Sequence, residues 1–196
     1  MRDGLSNGSK DEKSYKTVIR TVKQYSSRPI DSEDFRELCG IAEDYQKLKR
    51  IVYERYGGIG GLSKISTRNV VQRELLDSGI RKELQLPSIY FQMAVKEAVS
   101  DIEAEWTLEK QRIQTVASNN PGLSGEEIHY LRFLLKVEQL FSAVNQRREL
   151  ELPERFKLVY GEISDGVDTQ KLDNYIRGLT RKYHKRISAE KKMAFH

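Results

Sequence analysis

The residues best suited to chemistry are cations near the C-terminal end of the sequence. Positions 171–192 hold eight lysines and arginines, opposed only by Asp173 and Glu190, although the whole chain has a net charge of +5. On a helix, most of these cations lie on the side opposite the apolar residues. A one-sided row of cations is typical of surfaces that bind backbone phosphates, and equally of a solvated helix end. The nucleic-acid-binding residues predicted here are Arg177, Arg181, Lys182, Lys185 and Arg186.

A second, weaker row of cations lies near the N-terminus, at Lys16, Arg20 and Lys23. These residues belong to the stretch YKTVIRTVKQY, which is rich in β-branched residues and contains neither glycine nor proline. This composition predicts a β-strand within residues 14–28. A lone strand cannot satisfy its own backbone hydrogen bonds, so the prediction requires partner strands that the rest of the sequence does not supply.

Other kinds of chemistry have weak sequence signals. The GGIGG run at 57–61 lacks the spacing of a phosphate-binding loop, so we interpret it as a hinge between helices. The three histidines, His129, His184 and His196, form no close pair with one another or with Cys39. The carboxylates lie mostly on polar helix faces, and no nucleophile elbow is present. We therefore predict no catalytic residues, no metal, no cofactor and no enzymatic activity.

The single cysteine and the apolar content predict a cellular compartment. One cysteine excludes an internal disulfide and favours reducing surroundings. Cys39 lies beside Leu38 and Ile41 in an amphipathic run, which predicts a small core residue. The first residues lack the apolar centre of a signal peptide, and no stretch approaches the ~18 apolar residues of a membrane span. The sequence therefore predicts a soluble, cytoplasmic protein that does not contact membranes.

Helices must position these residues, because apolar side chains recur at helical spacing along most of the chain. Capping residues, glycines and prolines mark the ends of these segments. The predicted fold class is mainly α, a helical bundle preceded by one N-terminal β-strand that lacks its usual sheet partners. The predicted helices run from Asp31 or Ser32 to Tyr56, from Ser66 or Thr67 to about Asp77, from Ser88 to about Ser118, from Ser124 through Val144, over a short piece after Pro153, and from Asp168 through Tyr183.

Four stretches give the sequence a family resemblance: YKTVIRTVKQY, LPSIYFQMAVKEAVSDIEAEW, HYLRFLLKV and LDNYIRGLTRKYHKRI. Together they resemble the N-terminal part of the TnpB family, the RNA-guided nucleases of insertion sequences (OrfB-type transposase-associated proteins) related to type V CRISPR effectors. The resemblance covers residues 15–186 and implies a wedge-domain strand followed by a helical recognition domain. In that family these domains hold a guide RNA and its heteroduplex with target DNA, while base pairing reads the sequence.

The resemblance implies that the predicted cations contact phosphates of RNA, with DNA as the alternative. It also implies that partner strands and the RuvC nuclease domain would follow this sequence, so we expect a truncated, N-terminal piece that binds nucleic acid without cutting it. A separate protein that completes the sheet is a further expected partner. The predicted organisation is a disordered tail (1–13), a wedge-type strand (14–28), a helical recognition-like domain (29–187) and a basic C-terminal tail (188–196).

Two other functions fit the sequence. A non-enzymatic helical protein–protein adaptor would use an exposed strand or helix face. A small helix-turn-helix regulator is the weaker alternative, because the short turn between two helices that this motif needs is hard to find. Binding to nucleic acid predicts steep salt dependence, whereas an adaptor predicts binding that barely changes with salt.

Overall fold

The computed structural model describes residues 29–65, 68–149 and 152–184. These residues form nine α-helices, one 3₁₀ turn and the connecting loops. None of these helices combines the length and the apolar character that crossing a lipid bilayer requires. The helices are α1 (Ser32–Tyr56), α2 (Leu62–Ile65), α3 (Arg68–Asp77), α4 (Ile80–Glu83), α5 (Ser88–Ser118), α6 (Gly125–Lys136), α7 (Glu138–Gln146), α8 (Glu154–Ser164) and α9 (Thr169–Tyr183).

The predicted fold class is right in being mainly α and wrong in adding a strand, because the described residues contain no β-strand. A helix satisfies its backbone hydrogen bonds within one segment, whereas a lone strand needs a neighbour, and the described part of the chain offers none. The stretch 14–28 lies outside the described residues, with Lys16, Arg20 and Lys23. The expected completion of a sheet by a partner protein loses its basis together with the strand.

Two parallel helices, α1 and α5, form the centre of the fold. The Tyr45 hydroxyl donates to Glu97 at 2.6 Å and the Tyr53 hydroxyl donates to Asp101 at 2.5 Å, so residue numbers rise in the same direction along both helices. With 31 residues, α5 is about 46 Å long. It also contacts α3, α6 and α9. The long helix predicted from Ser88 is confirmed, and it is the element on which most others pack.

Side-chain N-caps begin two of the helices at the positions that the sequence predicts. At the start of α1, one carboxylate oxygen of Asp31 accepts from the backbone N–H of Glu33 at 2.9 Å and of Asp34 at 2.8 Å. At the start of α6, the Glu127 carboxylate accepts from the Ser124 N–H at 2.8 Å, and the Ser124 hydroxyl accepts from the Glu127 N–H at 3.1 Å. Both caps satisfy helix N–H groups that have no partner inside the helix, and Ser124 with Glu127 forms a capping box.

The predicted fourth helix is interrupted at Val137, which separates α6 from α7. The apolar spacing continues across this point and predicts a single helix, but Val137 adopts φ −94° and ψ 105°. The break allows α7 to pack on α2 and α9 as well as on α6. It places the Phe141 ring edge-on to Trp106 with 6.0 Å between centroids. Burial of α7 against several neighbours therefore overrides the local periodicity.

The glycine-rich stretch 57–61, predicted as a hinge, forms a corner that is closely packed at Gly61. Gly61 is buried at the end of a 3₁₀ turn (Ile59–Gly61) that follows α1. A Cβ atom at Gly61 would lie 2.1 Å from the Tyr56 carbonyl oxygen. The Gln146 side-chain amide donates to the Ile59 carbonyl at 2.9 Å and ties the corner to α7. Gly61 is thus required for close packing, because any larger residue collides with the end of α1.

The first turns of α1 depart from the predicted apolar face. Leu48 and Val52 on this face are fully buried, whereas Phe35 is 60% exposed and Leu38 is 48% exposed. Cys39, predicted as a core residue, is also exposed. The helical spacing is present, but no described residue covers this end of the helix. Spacing alone therefore predicts which face of α1 is apolar, but it does not predict that the first turns of this face are exposed.

Candidate nucleic-acid interface

Helix α9 carries the strongest predicted site, and its two faces differ in chemistry. The Asp168 carboxylate caps the helix by accepting from the Lys171 N–H at 3.0 Å. Leu172 and Ile176 are fully buried against the neighbouring helices, and Leu179 is nearly so. The predicted amphipathic final helix is confirmed, and its cations lie on the opposite side.

The first half of α9 is tied to α6, and its charges are balanced there. The Lys171 ammonium lies 3.1 Å from the Glu127 carboxylate. The Tyr130 hydroxyl donates to Asp173 at 3.0 Å. Burial raises the pKa of the Asp173 carboxyl, while the Tyr130 hydroxyl and the Arg177 charge oppose that rise. This half of the helix offers no free cation to a ligand.

Arg177 is half-buried and joins α9 to the end of α7. One of its terminal nitrogens donates to the Val144 carbonyl at 3.3 Å, and the other donates to the Asn174 side-chain oxygen at 2.5 Å. The Val144 carbonyl lies in the last turn of α7 and also accepts from the Arg147 N–H at 3.3 Å, so Arg177 reinforces this helix end. Arg177 thus has a structural role in addition to the phosphate contact predicted for it.

Arg181 and Lys182 are exposed in the last turn of α9. The Lys182 ammonium lies 5.4 Å from the centroid of the Tyr183 ring. Within the described residues, neither side chain forms an ion pair with a carboxylate. The helix dipole favours cations at this end, so both residues also stabilise α9 while their charges remain in water.

The structure adds two arginines that the sequence analysis did not select. Arg147 ends α7 with a left-handed backbone (φ 54°), and the exposed Arg148 follows it and donates to the Ser63 hydroxyl at 3.2 Å. Arg177 binds the carbonyl of Val144 in the same helix end, so α7 and α9 present their cations next to each other. The adjacent pair in NQRREL was a visible signal. We name Arg147, Arg148, Arg177, Arg181 and Lys182 the α7–α9 basic surface.

An aromatic stack anchors the end of α9 beneath this surface. The His184 ring stacks on Trp106 with 4.0 Å between centroids and 6° between planes. Both ring nitrogens of His184 are shielded from solvent and have no hydrogen-bond partner among the described residues. Burial lowers the pKa of His184, and the nearby Gly57 backbone and Glu105 carboxylate only partly oppose this. The neutral imidazole therefore belongs to the folded state.

Acidification should weaken this anchor. The unfolded chain binds a proton at His184 near the ordinary pKa of about 6.5, before the folded chain does. The His184 contribution to stability is complete above that pH and is lost as the pH falls through the lower folded value. We expect the free energy of unfolding to depend less on pH between about 5 and 7 in His184→Phe than in the wild type. The sole tryptophan, Trp106, provides the fluorescence signal for the urea titrations.

The exposed His129 supplies the control for this experiment. His129→Gln removes an exposed histidine and should leave the free energy of unfolding close to that of the wild type. Equal pH dependence in the wild type and His184→Phe would contradict the assignment of a neutral, buried His184.

The remaining predicted residues lie outside the described part of the chain. These are Lys16, Arg20 and Lys23 before α1, and Lys185 and Arg186 after α9. The described residues contain no cluster of His, Cys, Asp and Glu side chains arranged to hold a metal ion. Within the described residues, the candidate interface therefore consists of the cations at the ends of α7 and α9.

Comparisons with known proteins add no family to this description. The chain matches no family model, no curated protein and no solved structure. The resemblance to TnpB proteins accordingly stays a prediction.

Proposed function

We propose that this chain binds nucleic acid, with RNA expected before DNA, through the α7–α9 basic surface. The observation that carries the proposal is the exposure of Arg181 and Lys182 without an ion-pair partner among the described residues. Lys64 lies 2.9 Å from Glu74 and Lys110 contacts Glu138, whereas Lys82 and Lys96 are also exposed and form no ion pair within the described residues. Arg181 and Lys182 differ from these lysines because they share the end of α9 with Arg177, which contacts the end of α7 where Arg147 and Arg148 follow.

The chemistry of this surface suits phosphates better than bases. Arginine presents several N–H donors in a planar fork that matches two phosphate oxygens, and lysine adds a mobile point charge. Because the surface is exposed, its contacts would follow the backbone of the nucleic acid, and affinity would come largely from released counterions. The resemblance to TnpB proteins favours a structured guide RNA as the ligand. In this proposal the chain acts in the cytoplasm by binding and not by catalysis.

Charge reversal on α9 tests the proposal. We expect Arg181→Glu/Lys182→Glu to weaken binding of a structured RNA hairpin by about tenfold or more, measured by fluorescence anisotropy at several salt concentrations. The plot of log affinity against log salt should become shallower by about 1.4–1.8, since each of the two phosphate contacts contributes roughly 0.7–0.9. Both residues are exposed, so the helical circular-dichroism spectrum should not change.

A matched control separates local contacts from total charge. Arg155 and Lys157 are exposed on α8, and Arg155→Glu/Lys157→Glu changes the net charge by the same amount. Equal losses of affinity in the two variants would mean that RNA binding responds only to the net charge of the protein. That result would overturn the assignment of binding to the α7–α9 basic surface. Absence of binding to hairpin RNA, single-stranded RNA and duplex DNA by the wild type would overturn the function.

A second candidate function, that of a protein adaptor, is favoured by one observation on α8. Leu158 is 82% exposed and its neighbour Val159 is 40% exposed, so this peripheral helix presents apolar side chains to solvent. An adaptor bound through Leu158 would keep its affinity as the salt concentration rises, because burial of apolar area is not screened. The salt titration described above thus distinguishes the two functions.

A further inference from the structure

A group of apolar side chains lies uncovered at the beginning of α1 and α5. Phe35 and Ile89 are about three-fifths exposed, at 60% and 59%. We name the whole group the α1–α5 apolar patch; it consists of Phe35, Leu38, Ile89, Tyr90 and Met93. Exposed apolar side chains that lie together mark surfaces that bind a protein segment, a ligand or a membrane.

The parallel packing of the two helices brings these residues to one end of the fold. Lys49 contacts Glu97 at 2.7 Å and Asp101 at 3.6 Å, in the same register as the two tyrosine hydrogen bonds. Counting back along both helices from these contacts, Ser88 lies level with about Leu38, roughly two helical turns after Ser32. The first turns of α1 and α5 therefore share a surface.

The patch continues the buried stripe of α1. Further along the same face, Tyr45 packs against the core and Leu48 is fully buried. Phe35 and Leu38 have the same spacing but no cover among the described residues. The pattern is that of a packed helix face whose first turns lack their partner.

The chain itself supplies a segment of matching character at this position. Residues 13–28 lead directly into Pro29 and the Asp31 cap, so their attachment point is the end of the molecule that bears the patch. Ten residues reach at most about 35 Å, which is more than the patch requires. The apolar residues of this segment are Tyr15, Val18, Ile19, Val22 and Tyr25.

The charges of the segment and of the patch are complementary. Residues 13–28 contain five cations and no carboxylate. Residues 31–37, which surround Phe35, contain four carboxylates and one arginine, and all of them are exposed. Cations of one partner beside carboxylates of the other favour and orient docking.

We propose that residues 15–25 dock on the α1–α5 apolar patch of the same chain, with Lys16, Arg20 and Lys23 beside the carboxylates of the first turns of α1. This inference is independent of the proposed function, because it uses a surface at the starts of α1 and α5 and not the α7–α9 basic surface. It assigns the three N-terminal cations to an internal contact. Their predicted contacts with nucleic acid would then compete with this docking.

The single cysteine permits a direct test in the full-length chain. Cys39 is exposed next to Leu38, so a nitroxide spin label attached there lies at the edge of the patch. We expect the label to broaden the backbone amide signals of residues 15–25 strongly in an isotope-labelled sample without nucleic acid. The control label is placed on Cys39→Ser/Gln111→Cys, whose site lies about 35 Å along α5 from Ser88 and should leave those signals sharp.

Substitutions on the same helix show whether the patch is the docking site. Met93 and Leu108 are both 50% exposed on α5, so an aspartate at either position leaves the core intact. Met93→Asp should abolish the broadening of residues 15–25, and Leu108→Asp should preserve it. Within the segment, Ile19→Asp should abolish the broadening and Ser9→Asp should not.

Three results would overturn the inference. The first is the absence of broadening in residues 15–25 of the wild-type chain. The second is equal broadening in Met93→Asp and Leu108→Asp. The third is broadening in a mixture of spin-labelled chains without isotope and isotope-enriched chains without spin label. Such broadening arises between two chains and would assign the patch to a second copy. RNA binding through α9 is unaffected by any of these results.

Discussion

Gly61→Ala should destabilise the protein by about 3 kcal/mol. A Cβ atom there would lie 2.1 Å from the Tyr56 carbonyl oxygen and 2.6 Å from its carbonyl carbon, so the backbone itself must move. That movement is opposed by the hydrogen bond from the Gly61 N–H to the Gly58 carbonyl at 2.9 Å and by the Gln146 contact to Ile59. Overpacking against a fixed backbone costs about 1–3 kcal/mol and occasionally more.

Gly58 provides the matched control three residues earlier. A Cβ atom at Gly58 meets no heavy atom within 4 Å, and its φ of −96° suits any residue. Gly58→Ala should be neutral or stabilising by up to about 1 kcal/mol, because it restricts the unfolded chain. Urea denaturation followed by Trp106 fluorescence measures both variants. Equal stability of the two would mean that the corner is not tightly packed.

Lys49→Ala should destabilise the protein by about 2–3 kcal/mol. The Lys49 side chain is only 8% exposed and lies 2.7 Å from Glu97 and 3.6 Å from Asp101. Tyr45 and Tyr53 hold the same two carboxylates in place by hydrogen bonds. Removing the ammonium leaves two carboxylates close to each other beside an emptied volume. Breaking a buried ion pair costs about 3–5 kcal/mol, and the partial exposure of both carboxylates reduces this figure.

An exposed lysine two residues earlier is the control. Lys47 lies 2.9 Å from Asp44, but its side chain is 58% exposed, so Lys47→Ala should leave the free energy of unfolding almost unchanged. The Lys49 and Tyr45 hydrogen bonds lower the pKa of Glu97, so its contribution to stability is complete above the ordinary carboxyl pKa and is lost as the pH falls below it. Lys49→Ala should therefore also flatten the acid limb of the stability curve. Equal unfolding free energies for the two alanine variants would contradict the role of Lys49.

Helix boundaries were predictable where a side chain acts on the adjacent backbone. Asp31, the Ser124–Glu127 box and Asp168 form their hydrogen bonds within three residues, so the information is contained in a short stretch of sequence. The break at Val137 has no glycine or proline to mark it. It depends on how α7 packs against α2 and α9, which local spacing does not contain.

Burial was predictable only where a partner helix is present. Trp106 and Phe141 lie at helical spacing among other apolar residues and are buried. Phe35 has equally good helical spacing and is exposed, because the described residues place nothing against it. The burial of Lys49 depends on two carboxylates about fifty positions away, and the sequence alone does not reveal that these residues are in contact.

The candidate site was predicted in part. Charge clustering along the chain identified Arg181 and Lys182, which are exposed as the amphipathic pattern of α9 requires. It did not show that Arg177 would bond to the end of α7, nor that Arg147 and Arg148 would join the same surface. These relations arise from the contact between two helices that are separate in sequence.

The position of α5 in the middle of the chain has a consequence during protein synthesis. Its Trp106 is covered by Phe141 of α7 and by His184 after α9, both of which are made later. Roughly 65 residues separate the end of α5 from His184, and at about 5–20 residues per second the ribosome needs about 3–13 s to make them. During this interval the apolar side of α5 lacks its final cover, and nascent chains on one messenger can associate through it. The order of the helices thus makes translation speed a determinant of yield.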